Sequence, residues 1–231
     1  MTADQIQRIE AKSRYRSYSA GKPIYLPSEK ADSVFLLTSG LVKVCNLTPE
    51  GKESILAFVE QGELFGEIAI FSGETRDEYV EAVDSSTVVM IPAEEMDLLM
   101  NENPDVAMAF TKIIGLRRQC IERRLKNLLF KSNRERLIHL LLDLALQFGW
   151  AAEDGTRLRV RLSHQDLANL IGSTRESVTV ILGQLKSEGT IKNGRRKIVL
   201  TNPDRLARSV HRQPPRSTSQ APRFVPAFAT G

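Results

Sequence analysis

Two cysteines, Cys45 and Cys120, are all that this chain of 231 residues holds. That excludes a disulfide framework and any four-cysteine zinc or iron–sulfur site within one chain. Isolated cysteines of this kind read as small hydrophobes. Histidine is almost as scarce. The three are His139, His164 and His211, and none lies in residues 1–103. Long apolar runs are missing too. The most apolar stretch, 137–148, is interrupted by His139 and Asp143 and is too short to span a bilayer. No basic-then-apolar segment opens the chain, so no signal peptide is expected. There is no Ser/His/Asp set, no glycine-rich phosphate loop and no HExxH. Glu94, Glu95 and Glu102 read as a solvated acidic helix. A soluble, cytoplasmic protein that is not an enzyme is expected.

Enough is present for a real core. Hydrophobic residues make up 42% and charged residues 26%, both close to globular averages. The net charge of +4 hides a division. Residues 1–103 carry 9 Lys+Arg against 18 Asp+Glu, a balance of −9. Residues 104–149 stand at +5 and residues 150–231 at +8. An acidic front and a basic back point to two domains, with a polyanion as partner of the second.

Short apolar runs separated by turn residues occupy the front. They are 24–26, 34–37, 41–47, 54–59, 79–83 and 87–91, with a hairpin signal at Pro49-Glu50-Gly51-Lys52. Their spacing predicts a small sandwich or barrel. Residues 1–20 are polar, with room for one short helix. The texture changes at Asn103-Pro104-Asp105, an N-cap, a first-turn proline and an acid. The helix that follows spans roughly 27 residues, or about 40 Å. Phe110, Ile114, Ile121, Leu125 and Leu128 share one face, with Arg117 in the step between Ile114 and Ile121. That stripe predicts a homodimer contact. A second helix is expected over 133–148, with Gly149 as its stop. A strand is expected over 157–162 and a hairpin over 192–200, turning at Asn193-Gly194.

The most specific segment runs from Leu162 to Leu182. Leu167, Ala168, Leu170 and Ile171 form one apolar face, and Val178, Ile181, Leu182 and Leu185 another. Gly172 stands where a tight turn needs a left-handed residue. Ser173 is read as N-cap of the second helix, with Glu176 completing a capping box. Two short helices joined this way make a helix-turn-helix, whose second helix offers its first turn to the major groove. Arg175 suits guanine O6 and N7, and Glu176 suits cytosine N4. Ser163, Gln165, Ser173, Thr174 and Thr179 suit phosphate or sugar. Lys192, Arg195, Arg196 and Lys197 form a basic wing for the adjacent backbone.

Gly172-Ser173-Thr174-Arg175-Glu176-Ser177-Val178 resembles the helix-turn-helix core of the Crp–Fnr family, the cyclic-AMP receptor and fumarate–nitrate regulators of bacteria. Val34-Phe35-Leu36-Leu37, Gly40, Val42, Val44 and Gly62-Glu63-Leu64-Phe65-Gly66-Glu67 resemble the family's sensor. The resemblance covers roughly residues 20–200. It implies an α+β chain: a cyclic-nucleotide-binding-type β-roll over 1–103, a dimerisation helix over 104–131, and a winged helix-turn-helix over 132–204. A disordered tail over 205–231 would follow. The implied function is that of a homodimeric, sequence-specific transcription regulator on an inverted DNA repeat, gated by a small molecule in the β-roll. RNA polymerase is an implied partner, and no membrane is. A cyclic-nucleotide module acting through protein contacts is the alternative, but it would not need Arg175-Glu176 or the wing.

The effector region departs from the family pattern. Gly66, Glu67 and Arg76 stand where the ribose and cyclic phosphate are held. Asp77 follows Arg76 where a hydroxyl residue belongs, and Glu78 comes next. These acids repel a phosphate and are expected to compete for Arg76. Ile121 and Glu122 fall where hydroxyl residues would read adenine. Cyclic AMP is therefore a poor fit. One cysteine and no histidine in the sensor argue against an iron–sulfur cluster and a His-ligated haem. Val180 replaces an arginine common in cyclic-AMP receptors, leaving a thymine methyl contact or internal packing.

Overall fold

The computed structural model describes residues 1–49, 51, 53–72, 75–194 and 197–213. Among these the chain forms two units that divide between Gln119 and Cys120. In the N-terminal unit, helix α1 (Ala3–Lys12) is followed by strands β1 (Arg14–Tyr18), β2 (Pro23–Tyr25), β3 (Ser33–Ser39), β4 (Leu41–Leu47), β5 (Glu53–Glu60) and β6 (Leu64–Phe65). Then come α2 (Ile68–Ser72), β7 (Tyr79–Ala82), β8 (Ser86–Pro92) and α3 (Ala93–Glu102). Helix α4 (Pro104–Phe130) crosses from this unit into the next.

Two antiparallel sheets, ordered β1-β8-β3-β6 and β2-β7-β4-β5, form the roll. Strand β3 is apolar on both faces because it has two jobs. Phe35 and Leu37 join Val42, Val44, Val59, Phe65, Val80 and Val88 in the roll's core. Val34 and Leu36 point the other way, into a second core with Ile9, Val89, Ile91, Met96, Leu99 and Phe110. The period-2 alternation of a strand sends successive side chains to these two layers. Strand β1 and the two-residue β6 were not legible in the sequence. The pattern of β1 is almost wholly exposed, so it carries no apolar signature.

The expected dimer stripe on α4 divides. Phe110 is 4% exposed and Ile114 packs beside it in the second core of the N-terminal unit. They belong to the sensor's own interior, because the first half of α4 covers the outer face of β3 and β8. Ile121, Leu125 and Leu128 remain exposed. The helix expected as a separate dimerisation segment is shared between the two units. Asn103 stands at the start of α4 as expected, its carbonyl accepting from the Ala107 N–H at 3.2 Å, but its side chain is used elsewhere. Its side-chain amide donates to the Leu99 carbonyl and so finishes α3.

The C-terminal unit contains α5 (Asn133–Phe148), β9 (Gly149–Ala152), β10 (Gly155–Leu158), α6 (His164–Ile171), α7 (Arg175–Ser187), β11 (Ile191–Gly194), β12 (Lys197–Leu200) and α8 (Pro203–Ser209). Ser132 and Glu135 form a capping box that starts α5. The α5 helix buries eight residues from Leu137 to Phe148. The helix ends at Gly149, whose backbone turns extended (φ −77°, ψ 143°), and a Cβ there would lie 2.1 Å from the Ala145 carbonyl oxygen, so only glycine fits. The sheet order is β11-β12-β10-β9. Its strand β10 stops at Leu158, short of the expected 162. Asn193 and Gly194 end β11 and pair with Ile198 and Lys197, so they are strand residues and not the expected turn; residues 195 and 196 lie outside the described ones. The chain stays folded past residue 204. Asn202 caps α8, Pro203 opens it, and Leu206, Ala207 and Val210 are buried. The expected tail therefore loses its first residues to this helix, and residues 214–231 lie outside the described ones. Among the described residues no helix is long and apolar enough to cross a membrane.

Candidate functional site

The helix-turn-helix is α6, Gly172 and α7. Gly172 has φ +60°, a left-handed conformation open to glycine at little cost. Its N–H and that of Ser173 both reach the Ala168 carbonyl and close α6. The eight apolar residues expected on the two inner faces are all buried.

The start of α7 differs from expectation. Thr174, not Ser173, is the N-cap, and its hydroxyl accepts from the Ser177 N–H at 3.2 Å. The box then has no place for Glu176, which is exposed in the first turn beside exposed Arg175. Its carboxylate is left for a partner outside the helix.

Most of the expected phosphate donors are engaged inside the motif. Ser163 caps α6, and its hydroxyl donates to Asp166 at 2.6 Å. Gln165 donates to Asn169 at 2.8 Å. Thr174 donates to Ser177, and Thr179 donates to the Arg175 carbonyl at 2.9 Å. Ser173 has a buried hydroxyl oxygen with no partner among the described residues, pointing inward. Short hydroxyl side chains bond nearby backbone readily, which is why they cap helices. The structure adds His164, which the sequence reading passed over. Its Nδ1 lies 2.8 Å from the Thr179 hydroxyl.

A cleft of about 360 Å³ opens between the motif and the wing. Ser163, His164, Gln165, Arg175, Asn193 and Lys197 line it. Lys192 lies on the exposed side of β11 and donates to Asp154 at 3.2 Å. Arg195 and Arg196 lie outside the described residues. Val180 is 59% exposed, so it faces outward instead of packing inside. The result is a cationic cleft beside an exposed Arg–Glu pair on a helix N-terminus. Such a surface suits a phosphate backbone and the base edges next to it.

The sensor residues form a different kind of site. Arg76 is 6% exposed. Its guanidinium carbon lies 4.1 Å from the Tyr25 ring centre and 5.1 Å from that of Phe35. Nη2 donates to the Ser33 carbonyl at 2.6 Å. Among the described residues its side chain meets two aromatic faces and a carbonyl, and the neighbouring acid Glu78 is coupled to it through charge, with no hydrogen bond between them. Asp77 is exposed, and Glu78 accepts from the Tyr25 hydroxyl at 3.0 Å. Burial pushes the Glu78 carboxyl above its ordinary range, and the nearby Glu67 adds to this. Gly66, at φ +71°, leaves room for Arg76, since a Cβ there would lie 2.9 Å from Nη1.

Glu67 is held by Arg117 of α4, with Nη1 2.6 Å from Oε2. Arg117 Nη2 also donates to the Leu64 carbonyl. Among the described residues, Arg117 of α4 reaches the cassette, a residue outside the expected pair Ile121 and Glu122. Ile121 and Glu122 are exposed further along the helix. Arg117 carried a signal, a lone cation in an apolar stripe, but nothing in the sequence named its partner. Cys45 is buried, its thiol donates to Glu53 at 2.9 Å, and burial pushes its pKa up. That disfavours the reactive thiolate.

Comparison with known proteins agrees with this layout. Residues 15–103 match the cyclic nucleotide-binding domain, and residues 135–209 match the Crp-like helix-turn-helix domain. The global nitrogen regulator of Synechocystis sp. (strain ATCC 27184 / PCC 6803 / Kazusa) is 31% identical over 193 residues, 83% of this chain and 86% of the relative. The CRP-like cAMP-activated global transcriptional regulator of Mycobacterium tuberculosis is 25% identical, over 83% of this chain and 85% of its own. Among solved structures, FixK2 from Bradyrhizobium japonicum has a TM-score of 0.74 at 26% identity, covering 84% of this chain and 95% of that one. A Crp/Fnr-family regulator from Thermus thermophilus has a TM-score of 0.72 at 27% identity, covering 87% and 100%. These relatives are transcription regulators, not enzymes. With a roll, a long helix and a winged helix-turn-helix in that order, the chain belongs to the Crp–Fnr family of DNA-binding transcription regulators.

Proposed function

We propose that the protein acts as a homodimer that reads an inverted DNA repeat through Arg175 and Glu176. The observation that carries this reading is the α7 N-terminus, where Thr174 caps the helix and leaves both side chains exposed. A guanidinium there reads guanine, and a carboxylate reads the cytosine of a neighbouring pair. Lys197 at the cleft, with Lys192 and the wing residues Arg195 and Arg196, holds the backbone. Two-fold symmetry places half-site centres about 34 Å, or roughly 10 bp, apart. RNA polymerase is the further protein partner of this reading, and the cytoplasm is its compartment.

The dimer surface is the part of α4 that stays open. Ile121, Leu125 and Leu128 are exposed there, with Leu129 and Phe130. A contiguous apolar surface of this kind marks an interaction site. Phe110 and Ile114 take no part. Leu125→Glu places a charge in that seam and should convert the dimer to monomer in sedimentation; an unchanged dimer would move the contact elsewhere. Selection from a random DNA library tests the readout. The expected motif is palindromic with a guanine in each half-site, and a non-palindromic motif defeats the two-fold reading.

A further inference from the structure

His164 is the first residue of α6, half-buried, and its ring is held from one side. Nδ1 lies 2.8 Å from the Thr179 hydroxyl oxygen. That hydroxyl gives its own proton to the Arg175 carbonyl, 2.9 Å away. It can therefore only accept from the imidazole, and the proton of the neutral ring sits on Nδ1. The other nitrogen, Nε2, is then a bare acceptor on the side of the ring away from Thr179. No further hydrogen bond or ion pair reaches the His164 side chain among the described residues. The ring lines the cleft with two cations, Arg175 of α7 and Lys197 of β12. Strand β11 adds the neutral Asn193 and Gly194. On its own helix Asp166 is turned to the Ser163 hydroxyl and N–H. Glu176, in the first turn of α7, does not line the cleft. A phosphate oxygen entering this cleft meets two donors and, at Nε2 of the neutral ring, a lone pair that repels it. The imidazolium presents an N–H at the same point.

We propose that His164 is a phosphate contact of the DNA surface and that it binds as the imidazolium, so that each subunit takes up one proton from solvent when DNA docks. Both charge states keep Nδ1–H on Thr179, so the ring does not have to turn. Protonation changes only Nε2, from a lone pair to a charged donor. Thr179 is the positioning residue, since it fixes which nitrogen faces outward. A phosphate lying among the ring, Arg175 and Lys197 favours the charged ring, because a hydrogen bond from a cation to phosphate is stronger than one from a neutral group. An imidazole changes charge between about pH 5 and 8, so the contact is made or lost within that range. The inference rests on the DNA-binding reading above and adds a residue and a proton to it.

The test uses the full chain and the DNA motif that it selects, with affinity read by fluorescence anisotropy at about pH 8 and about pH 6. Ordinary carboxylates titrate below this window. Wild-type affinity should rise about tenfold at the lower pH, the size expected when bound phosphate holds a proton on the ring. The slope of log affinity against log salt should steepen by about one per subunit over the same change, as one more phosphate is neutralised. His164→Gln should show the same affinity and the same salt slope at both pH values. His164→Arg, a fixed cation, should bind at about pH 8 as tightly as wild type binds at about pH 6. His211→Gln should keep the wild-type response. Thermal melts at both pH values establish that each variant is folded; if His164→Gln is not, His164→Arg and the wild-type salt slopes decide. Equal wild-type affinity at the two pH values overturns the proposal. So does a folded His164→Gln protein that keeps the response, or a gain in affinity with no steeper salt slope, which would leave the ring a purely structural role. A wild type that selects no DNA sequence at either pH defeats the DNA reading and this inference together. A selected motif bound independently of pH defeats this inference alone.

Discussion

Arg76 and Arg117 in the N-terminal unit and Arg175 in the C-terminal unit are used in opposite ways. In the N-terminal unit Arg8, Arg76 and Arg117 are bound to internal partners: Glu102, Ser33 with two rings, and Glu67. In the C-terminal unit Arg175 is exposed at the mouth of an open cleft. The same side chain therefore supports the fold in one unit and is offered to a partner in the other. The charge balance of each part agrees with this. A region at −9 has enough carboxylates to absorb its cations, and one at +8 does not. A family label alone would assign Arg76 to ligand binding. Its side chain is buried against two rings and so also supports the roll.

That contrast can be broken most severely at Arg76. Arg76→Ala removes a cation stacked on two rings and a charged hydrogen bond, a loss of about 3 kcal/mol. For a chain of this size the melting temperature should fall by about 6–12 °C. Calorimetry showing no change would mean that Arg76 is free for a ligand. Arg175→Ala should do the reverse. DNA affinity should drop by about 1–3 kcal/mol per half-site, with preference relaxed at one base pair and the melt unaltered. A selected motif identical to the wild type would remove Arg175 from the reading set.

Lys197→Ala sharpens the contrast within the DNA surface itself. It should weaken all sequences alike and reduce the salt slope by about one per subunit, because a phosphate contact releases counterions without reading bases. A changed motif would make it a base contact instead. The smallest effect belongs to Glu78. Its carboxyl holds a proton more tightly when folded, so stability falls as pH rises from the ordinary carboxylate range through the raised value. Glu78→Gln removes that loss and keeps an acceptor for the Tyr25 hydroxyl. Its melting temperature should exceed wild type by a few degrees at alkaline pH, with the gap closing below about pH 4. A constant gap at every pH would mean that the carboxyl does not titrate in this window.

Much of the DNA surface was legible because helix-turn-helix signals are local. Gly172 and the two apolar faces lie within one short segment, and each behaves as its spacing implies. The N-cap was misplaced by one residue, since Ser173 and Thr174 are both good caps and only backbone geometry separates them. Thr179 read as a free donor because the sequence does not show that its hydroxyl returns to the Arg175 carbonyl and meets His164. The stripe expected on α4 has two environments. Periodicity shows that Phe110 and Leu125 share a face, but not that β3 and β8 already cover Phe110.

Features that depend on neighbours a few residues apart can be read from the order of residues alone. They include the run of short strands, the long helix from Pro104, the capped turn at Gly172 and the shift from acidic to basic charge. Which charges are engaged depends instead on packing between distant segments. Arg76 meets Tyr25, Phe35 and Ser33, and Arg117 meets Glu67 and Leu64, across long stretches of chain. No periodicity encodes such pairs. They form because a cation enclosed by the roll must find a carbonyl, a carboxylate or an aromatic face within reach, and the packing of the strands decides which one is there.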